Sequence, residues 1–421
     1  MQQKNRINLL PVDISEKIAA GEVVDRPSSI VKELVENSID AFADTIVVEI
    51  KNGGKTYIRI TDSGEGIASP EVEKAFLRHA TSKIKKVEDL DAIGTLGFRG
   101  EALTSIAAVS KVEMITKTKE EKVGTRLLIE GGHTVETSSV GCPVGTTLVV
   151  RDLFYNTPAR LKFMKSDASE SSRIVDFVSR VALAYPDIRF RMINNGSILF
   201  ATRGNGSIYE NILTIYSKQT GRKLIEINEE KGDHRLFAYI SPPDLHRASR
   251  RNQVYFVNGR SINSNVLEDA ITDAYREQLP SGRFPLAYLF LSVPEDLLDV
   301  NIHPNKKEVR FHDNEGVAGF ITTSLIKGLQ SIEGLPDIKI KPFKYESTAV
   351  SDTPNIVESS NSQIVNDQVD IKQILSTKRQ EIRELEDTTT RKEHSQAEPT
   401  VTIKDKTTPL DDIYPIGSIF A

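Results

Sequence analysis

The stretch RPSSIVKELVENSIDA, residues 26–41, has the period of an amphipathic helix. Pro27 suits the first turn of a helix, because its backbone angle is already helical and its missing N–H would have no partner there. At 3.6 residues per turn one face is apolar, with Ile30, Val31, Leu34 and Val35. The opposite face carries Glu33, Glu36, Asn37 and Asp40. The pattern predicts a helix that packs its apolar face on a core and presents carboxylates and a carboxamide.

Glu33 and Asn37 stand four residues apart, so their side chains reach one small volume. A glutamate placed there can act as a general base, and the oxygen of an asparagine is a ligand that magnesium accepts. Polar stripes on helices are common, so the same residues taken alone also fit an ordinary solvated face.

A second feature is an aspartate at the end of a predicted strand. Residues 45–50 and 56–61 alternate around a glycine turn at 52–54, which is typical of a hairpin. Asp62 follows directly, with glycines at positions 64 and 66. A carboxylate beside bare backbone can accept a hydrogen bond from an exocyclic amine and let a flat ring approach closely. An ordinary Asp-Gly turn is the alternative.

A glycine-rich segment follows, with glycines at positions 94, 97 and 100 ahead of a helix-like run from Glu101 to Val109. Glycine-rich backbone that opens a helix offers N–H groups and the positive end of the helix dipole to phosphate. Upstream, Thr81-Ser82-Lys83 places hydroxyls beside a lysine, and Gly145-Thr146 opens a further predicted strand. Each of these signals is weak when taken alone.

The order of these features resembles the GHKL ATPase superfamily, which includes type II topoisomerases and histidine kinases. Within it, five longer motifs are similar to those of the MutL family of DNA mismatch repair proteins. They lie at residues 18–27, 96–103, 152–160, 256–260 and 299–306. The resemblance implies an α+β class, with a Bergerat-type ATPase sandwich followed by a smaller α/β domain of the ribosomal-protein-S5-like type.

The resemblance also implies roles for single residues. Glu33 would activate the water that attacks the γ-phosphate of ATP, and Asn37 would bind Mg²⁺. Asp62 would recognise adenine, and Lys306 would reach the γ-phosphate from the second domain. We expect the nucleotide also to contact Gly66, Thr81, Ser82, Lys83, Gly97, Phe98, Arg99, Gly100 and Thr146.

Three residues depart from the family pattern. Phe42 stands where the family usually has glycine, Ser63 where it has asparagine, and Asn305 where it commonly has alanine. None of these changes removes a catalytic group. Phe42 is expected to alter the packing beneath the helix that carries Glu33, and hence the affinity for nucleotide.

A basic stretch between Leu245 and Arg260 contains four arginines and no acidic residue. The arginines are Arg247, Arg250, Arg251 and Arg260. Guanidinium groups on such a segment contact phosphates without reading sequence. The MutL-family arginine that matches Arg260 is implicated in DNA binding, whereas a solvated basic loop is the alternative for the other three. We expect weak, salt-sensitive binding without sequence specificity.

The chain divides into four expected segments. Residues 1–205 are expected to form the ATPase domain, and residues 206–335 the S5-like transducer and DNA-binding domain. Residues 336–410 are rich in Ser, Thr, Asp, Glu and Lys and bury too little apolar surface to offset chain entropy, which predicts a disordered linker. Residues 411–421 turn apolar again, and we expect them to be the start of a C-terminal domain that is truncated or absent.

Composition narrows the class of protein. The 421 residues carry a net charge of -5, which argues against coating DNA through overall charge. The one cysteine excludes an internal disulfide and a thiolate zinc cluster. No apolar run is long enough for a membrane span, and the first residues lack the pattern of a signal peptide. We expect a cytoplasmic protein that associates with the nucleoid during repair.

The resemblance to the MutL family implies a magnesium-dependent ATPase of DNA mismatch repair that hydrolyses ATP slowly and forms a homodimer on binding it. The expected partners are double- or single-stranded DNA, a MutS-type mismatch sensor, and a downstream nuclease or helicase. No endonuclease motif is visible in the chain. The alternatives are another GHKL enzyme, such as a histidine kinase or topoisomerase subunit, and a non-hydrolysing DNA-binding scaffold. None of the seven histidines sits in a phosphoacceptor context, and the intact Glu33 argues against the scaffold.

Overall fold

Two β-sheets with accompanying helices make up the part of the chain that the structure describes. The structure is a computed structural model and describes residues 20–21, 23–83, 100–294, 297–299 and 309–331. The expected linker and the expected start of a further domain, 336–410 and 411–421, lie outside the described residues. The predicted α+β class is confirmed, because antiparallel pairing predominates in both sheets.

The first sheet has eight strands. They are β1 (Thr45–Lys51), β2 (Tyr57–Asp62), β3 (Lys111–Lys117), β4 (Gly124–Glu130), β5 (His133–Val140), β6 (Gly145–Arg151), β7 (Arg189–Asn194) and β8 (Ser197–Ala201). Their order is β5-β4-β3-β6-β2-β1-β7-β8, in which β1 and β7 run parallel and the other neighbours are antiparallel. The predicted hairpin of β1 and β2 is confirmed.

The helices that accompany this sheet are α1 (Pro27–Asp40), α2 (Ala102–Ala108), α3 (Pro158–Phe163) and α4 (Asp167–Ala184). Side chains of β1 alternate between buried and partly exposed, as a strand with one covered face requires. Its buried residues Ile46, Val48 and Ile50 share one hydrophobic core with the apolar residues of α1. The predicted apolar face of α1 is confirmed, since none of its four residues is more than 4% exposed.

The turn between β1 and β2 docks on the start of α1. Asn52–Gly54 form a short 3-10 turn, and Gly54 has a φ of 80°. A Cβ at Gly54 would lie 2.8 Å from the Cβ of Pro27. Glycine alone satisfies both the backbone angle and the limited space, so the turn approaches the helix without a side chain between them.

The second sheet has five strands. They are β9 (Ile225–Lys231), β10 (His234–Ile240), β11 (Gln253–Val257), β12 (Arg260–Ile262) and β13 (Ala287–Ser292), in the order β12-β11-β13-β10-β9. The helices in this part are α5 (Ile208–Tyr216), α6 (Lys218–Gly221), α7 (Asn265–Ala274) and α8 (Asn314–Gln330). Two short pairings join His246–Arg247 to Phe284–Pro285 and Leu298–Asp299 to Arg310–Phe311.

The elements predicted for this second part are largely confirmed. β11 and β12 form the expected hairpin through a turn at Asn258 and Gly259, both with positive φ. The helix predicted to run from Asn265 to Gln278 ends instead at Ala274. The chain leaves the helix at Tyr275, whose ring is buried and whose hydroxyl donates to the backbone oxygen of Ser241 at 2.5 Å. Burial of this ring fixes the chain just after the last helical turn.

Phe42 lies in the turn that ends α1, and its side chain points into solvent. The residue has a φ of 56° and is 80% exposed. The expectation that it alters packing beneath the Glu33 helix is therefore wrong. Glycine is the usual residue at such a helix end because it has no Cβ to clash in the left-handed region. Phenylalanine there costs about 1 kcal/mol in backbone strain.

Replacing Phe42 with glycine should make the fold more stable. We expect Phe42→Gly to raise the free energy of unfolding by about 0.5–1 kcal/mol, because relief of strain exceeds the added entropy of a glycine in the unfolded chain. The measurement is urea denaturation followed by circular dichroism. Phe42→Ala is the matched control, since it removes the ring but keeps the strain. Equal stability of the two variants would show that the backbone angle is not the cause.

Candidate active site

The carboxylate of Asp62 lies at the end of β2, where three donors reach it. Its Oδ1 accepts from the backbone N–H of Gly64 at 3.0 Å and from that of Thr146 at 3.1 Å. Its Oδ2 accepts from the hydroxyl of Ser38 at 2.9 Å. The donors belong to the turn after β2, to β6 and to α1. One side chain therefore joins the helix to two strands of the sheet.

Burial is the largest influence on the Asp62 carboxyl and raises its pKa above the ordinary value for aspartate. The hydrogen bonds from Gly64, Ser38 and Thr146 act in the opposite direction. Each further hydrogen-bond donor stabilises a carboxylate that has lost much of its hydration. The exocyclic amine of a bound ring is a donor of that kind.

The turn after Asp62 leaves no room for a side chain at Gly66. This residue has a φ of 75°, and a Cβ on it would lie 2.2 Å from the backbone oxygen of Lys117. Next to it, the N–H of Ile67 donates to the hydroxyl of Thr116 at 2.9 Å. That hydroxyl lies 3.0 Å from the hydroxyl of Thr146. Ile67 and Thr146 thus share one hydrogen-bond network beside Asp62, and Gly66 allows this turn to lie directly against the end of β3.

The less buried face of α1 carries Glu33 and Asn37 one turn apart. Lys32 Nζ lies 3.9 Å from Glu33 Oε1 and 3.8 Å from Glu36 Oε1. The side chain of Glu33 is 30% exposed, so water reaches its carboxylate. Burial raises the pKa of Glu36 to about 7, with Lys32 lowering it and Glu33 raising it. Of these two glutamates, Glu33 is the one that combines solvent access with a position beside Asn37.

Lys83 connects the Thr81–Lys83 segment to α1. Its Nζ donates to Asn37 Oδ1 at 2.9 Å and to Asp40 Oδ2 at 2.5 Å. Its backbone N–H donates to the hydroxyl of Thr81 at 3.1 Å. Ser82 is exposed between them. The structure therefore brings the hydroxyl-and-lysine segment predicted to bind phosphate directly to the predicted magnesium ligand.

The glycine loop is described only at its last residue. Gly100 has a φ of 62°, and a Cβ on it would lie 2.6 Å from the backbone oxygen of Ala80. The end of the loop thus contacts the residue before Thr81. The other predicted site residues, Gly97, Phe98, Arg99 and Lys306, lie outside the described residues.

Ser38 and Asp40 belong to this cluster, although the sequence did not identify them as site residues. Ser38 is 3% exposed and lies on the apolar side of α1, one turn after Leu34. A hydroxyl at a position where the helical period calls for an apolar residue is the signal that could have identified it, since buried polar groups need partners. Asp40 was predicted to lie on the polar face of α1, but its contact with Lys83 could not be predicted, because that contact depends on how a distant segment folds.

Arg250 differs from the other arginines of the basic stretch because several side chains hold its partly exposed guanidinium in place. Its Nε lies 3.4 Å from Glu268 Oε2, and its Nη1 donates to Gln253 Oε1 at 3.1 Å. The guanidinium also lies over the ring of Phe284, 4.5 Å from its centre. These contacts fix the loop that precedes β11.

The other three arginines are more accessible. Arg251 donates through Nη2 to the hydroxyl of Ser172 in α4 at 2.9 Å. Arg247 is exposed and donates to the neighbouring backbone oxygen of His246 at 3.1 Å. Arg260 is exposed at the turn between β11 and β12. These side chains lie on the loop before β11 and on the turn after it.

Two family models match the chain, one in the part that forms the first sheet and one in the part that forms the second. The model of histidine kinase-, DNA gyrase B- and HSP90-like ATPases matches residues 26–138. The model of the DNA mismatch repair protein, C-terminal domain, matches residues 212–330. The DNA mismatch repair protein MutL of Clostridium perfringens is 48% identical over 309 residues, which are 73% of this chain and 46% of that protein.

Solved structures agree with the family matches. The N-terminal domain of a DNA repair protein aligns with a TM-score of 0.64 and 28% identity, over 76% of this chain and 99% of that one. The MutL ATPase domain of Aquifex aeolicus, solved in complex with ADP, aligns with a TM-score of 0.51 and 30% identity, over 65% of this chain and 93% of that one. The chain belongs to the MutL family.

Membership of the MutL family confirms the predicted fold, a GHKL ATPase sandwich followed by an S5-like domain. The chain spans about half the length of the curated MutL relatives it matches, 46% of one and 54% of another. Among the helices described, none is long and apolar enough to cross a membrane.

The residues of this MutL-family site fit a magnesium ion that arrives with a nucleotide. Within the described residues, no group of three or more His, Cys, Asp or Glu side chains is arranged to hold a metal by itself. Magnesium commonly takes one or two protein oxygens and completes its shell with water and phosphate. Asn37 Oδ1 supplies one such oxygen, and it already accepts from a cation, Lys83 Nζ. The position therefore suits a positive charge.

Proposed function

We propose that this chain binds ATP, hydrolyses it with magnesium, and acts as an ATP-driven conformational switch in DNA mismatch repair. One observation carries the proposal: the helix that presents Glu33 and Asn37 is itself bonded to Asp62 through Ser38. A receptor for the base and the residues for hydrolysis thus share one rigid element. Rigid placement of this kind removes much of the entropic cost of bringing water and phosphate together.

Asp62 would select adenine. The amino group on the ring would donate to the carboxylate, and the turn that Gly66 holds against β3 would lie beside the ring. Guanine presents a carbonyl oxygen at the same place, and two acceptors facing each other in a site poor in water are unfavourable. Thr146 lies in the same network and would contact the base or the water around it.

Glu33 would act as the general base. It would take a proton from the water that attacks the γ-phosphorus, and the bond from phosphorus to the bridging oxygen would break with its electron pair leaving on ADP. Asn37 would hold magnesium, which neutralises charge on the phosphates when bound. Lys83, Thr81 and Ser82 would contact the phosphates directly.

We also propose that ATP binding controls the arrangement of the two domains and the association of two chains. Lys306 would reach the γ-phosphate from the domain after residue 205, so that only ATP holds the two domains in that arrangement. ATP would also drive homodimerisation and signal between a MutS-type sensor and a downstream nuclease or helicase. Two similarities support the cycle: the curated MutL relatives are DNA mismatch repair proteins, and the similar ATPase domain of Aquifex aeolicus was solved with ADP.

Removing the carboxylate of Glu33 should separate binding from hydrolysis. We expect Glu33→Ala to lower the rate of ATP hydrolysis by about 100-fold or more, the usual contribution of a general base, while the affinity for ATP stays within about threefold. The measurements are phosphate release and equilibrium binding of ATP with magnesium. Glu230→Ala, an exposed glutamate at the edge of the second sheet, is the control. If Glu33→Ala and the wild type hydrolyse ATP equally, the activity comes from a contaminant or from another base, and a DNA-binding scaffold that does not hydrolyse ATP becomes the better explanation.

We also propose weak, non-sequence-specific binding of double- or single-stranded DNA through Arg247, Arg251 and Arg260. Arg247 and Arg260 are exposed on the loops that flank β11, as phosphate contacts require. The net charge of -5 means that such binding depends on this local group of cations rather than on overall charge. Arg250 was predicted from the sequence to share this role, and we propose that it acts by fixing the loop.

Removing the exposed arginines should weaken DNA binding evenly across sequences. We expect Arg247→Ala with Arg260→Ala to reduce affinity at low salt. The slope of log affinity against log salt should fall by about one for each phosphate that no longer meets a guanidinium group. The measurement is fluorescence anisotropy of a labelled duplex at several salt concentrations. Arg203→Ala, an exposed arginine beside α5, is the control. An affinity that does not change with salt would contradict the proposal.

A further inference from the structure

The contact of Lys83 with α1 places a side-chain cation on the residue proposed to bind magnesium. Lys83 Nζ lies 2.9 Å from Asn37 Oδ1 and 2.5 Å from Asp40 Oδ2. The side chains of Lys83 and Asp40 are only 18% and 8% exposed, so water screens this ion pair less than it screens a surface pair. If an ammonium group and a magnesium ion both contacted this amide oxygen, the two cations would lie close together and repel each other strongly.

The segment that carries Lys83 is able to give up this contact. Residues 80–83 belong to no helix or strand, so the lysine can turn away without breaking a ladder of backbone hydrogen bonds. Asp40, in contrast, is the last residue of α1, whose apolar face is fixed in the core. The pair thus joins a fixed partner to a partner that can move.

We propose that Asp40 holds the Lys83 cation on Asn37, and that ATP with magnesium must displace this cation in order to bind. Asp40 is then a positioning residue: it determines the free energy needed to transfer Lys83 from the helix to the phosphates. This inference rests on the proposed function, because ATP is the ligand that receives Lys83.

Nucleotide affinity distinguishes a carboxylate that holds Lys83 from a carboxylate with another role. A ligand that must break a contact binds more weakly by the free energy of that contact. Weakening the Lys83–Asp40 pair should therefore strengthen nucleotide binding, with or without magnesium. A carboxylate that instead holds magnesium through water would show the opposite result, weaker binding that appears only when magnesium is present.

The test is equilibrium binding of a fluorescent ATP analogue to the full chain, in EDTA and in magnesium. We expect Asp40→Asn to bind about three- to tenfold more tightly than the wild type under both conditions, the range expected for removing an ion pair worth about 1 kcal/mol. Asp176→Asn, which breaks the surface pair with Arg180 in α4, is the matched control and should leave the affinity unchanged. Thermal unfolding checks that each variant is folded.

A double-mutant cycle isolates the role of the pair itself. Lys83→Met should weaken binding, because the phosphates lose a donor, and adding Asp40→Asn to it should bring no gain in affinity. A gain of the same size in the Lys83→Met background would overturn the proposal. So would an Asp40→Asn variant that binds the analogue with unchanged or lower affinity in EDTA. A wild type that binds no ATP analogue at all would instead contradict the proposed function, and the inference with it.

Discussion

The hydrogen bonds of the buried Asp62 carboxylate are the interaction on which the candidate site depends. They join α1 to β2 and β6 through Ser38, Gly64 and Thr146. Burying a carboxylate is unfavourable unless donors surround it, and burial raises the pKa of Asp62 while its three donors lower it. The fold thus keeps a buried acceptor at the end of the strand, and a ligand that brings one more donor would stabilise it.

The same bonds fix the rest of the site, because α1 carries it. The apolar face of α1 is embedded in the core, so the helix cannot rotate without exposing Val31 and Leu34. Glu33 and Asn37 therefore keep their positions relative to Asp62, whereas Lys83 reaches them from a segment without regular structure. This arrangement is consistent with the proposed switch, in which Lys83 leaves the fixed helix for the phosphates of the nucleotide.

Much of this arrangement could be predicted from the sequence, because it depends on local periodicity. The face of α1, the β1–β2 hairpin and the aspartate at the end of a strand all followed from patterns of a few residues. The contact of Lys83 with Asp40 could not be predicted, since it joins positions 43 residues apart. The contacts that hold Arg250 depend in the same way on Phe284, and the direction of the Phe42 side chain depends on a backbone angle that composition does not reveal.

The central claim is that Asp62 makes this a site for adenine nucleotides, and base selectivity tests it most directly. The measurement is equilibrium binding of ATP and of GTP to the wild type and to Asp62→Asn. A wild type that prefers ATP by at least about tenfold, together with a variant that loses most of this preference and binds ATP at least about tenfold more weakly, is the predicted result. Equal affinity of the wild type for the two nucleotides, or an Asp62→Asn variant that binds ATP as tightly as the wild type, would contradict the account.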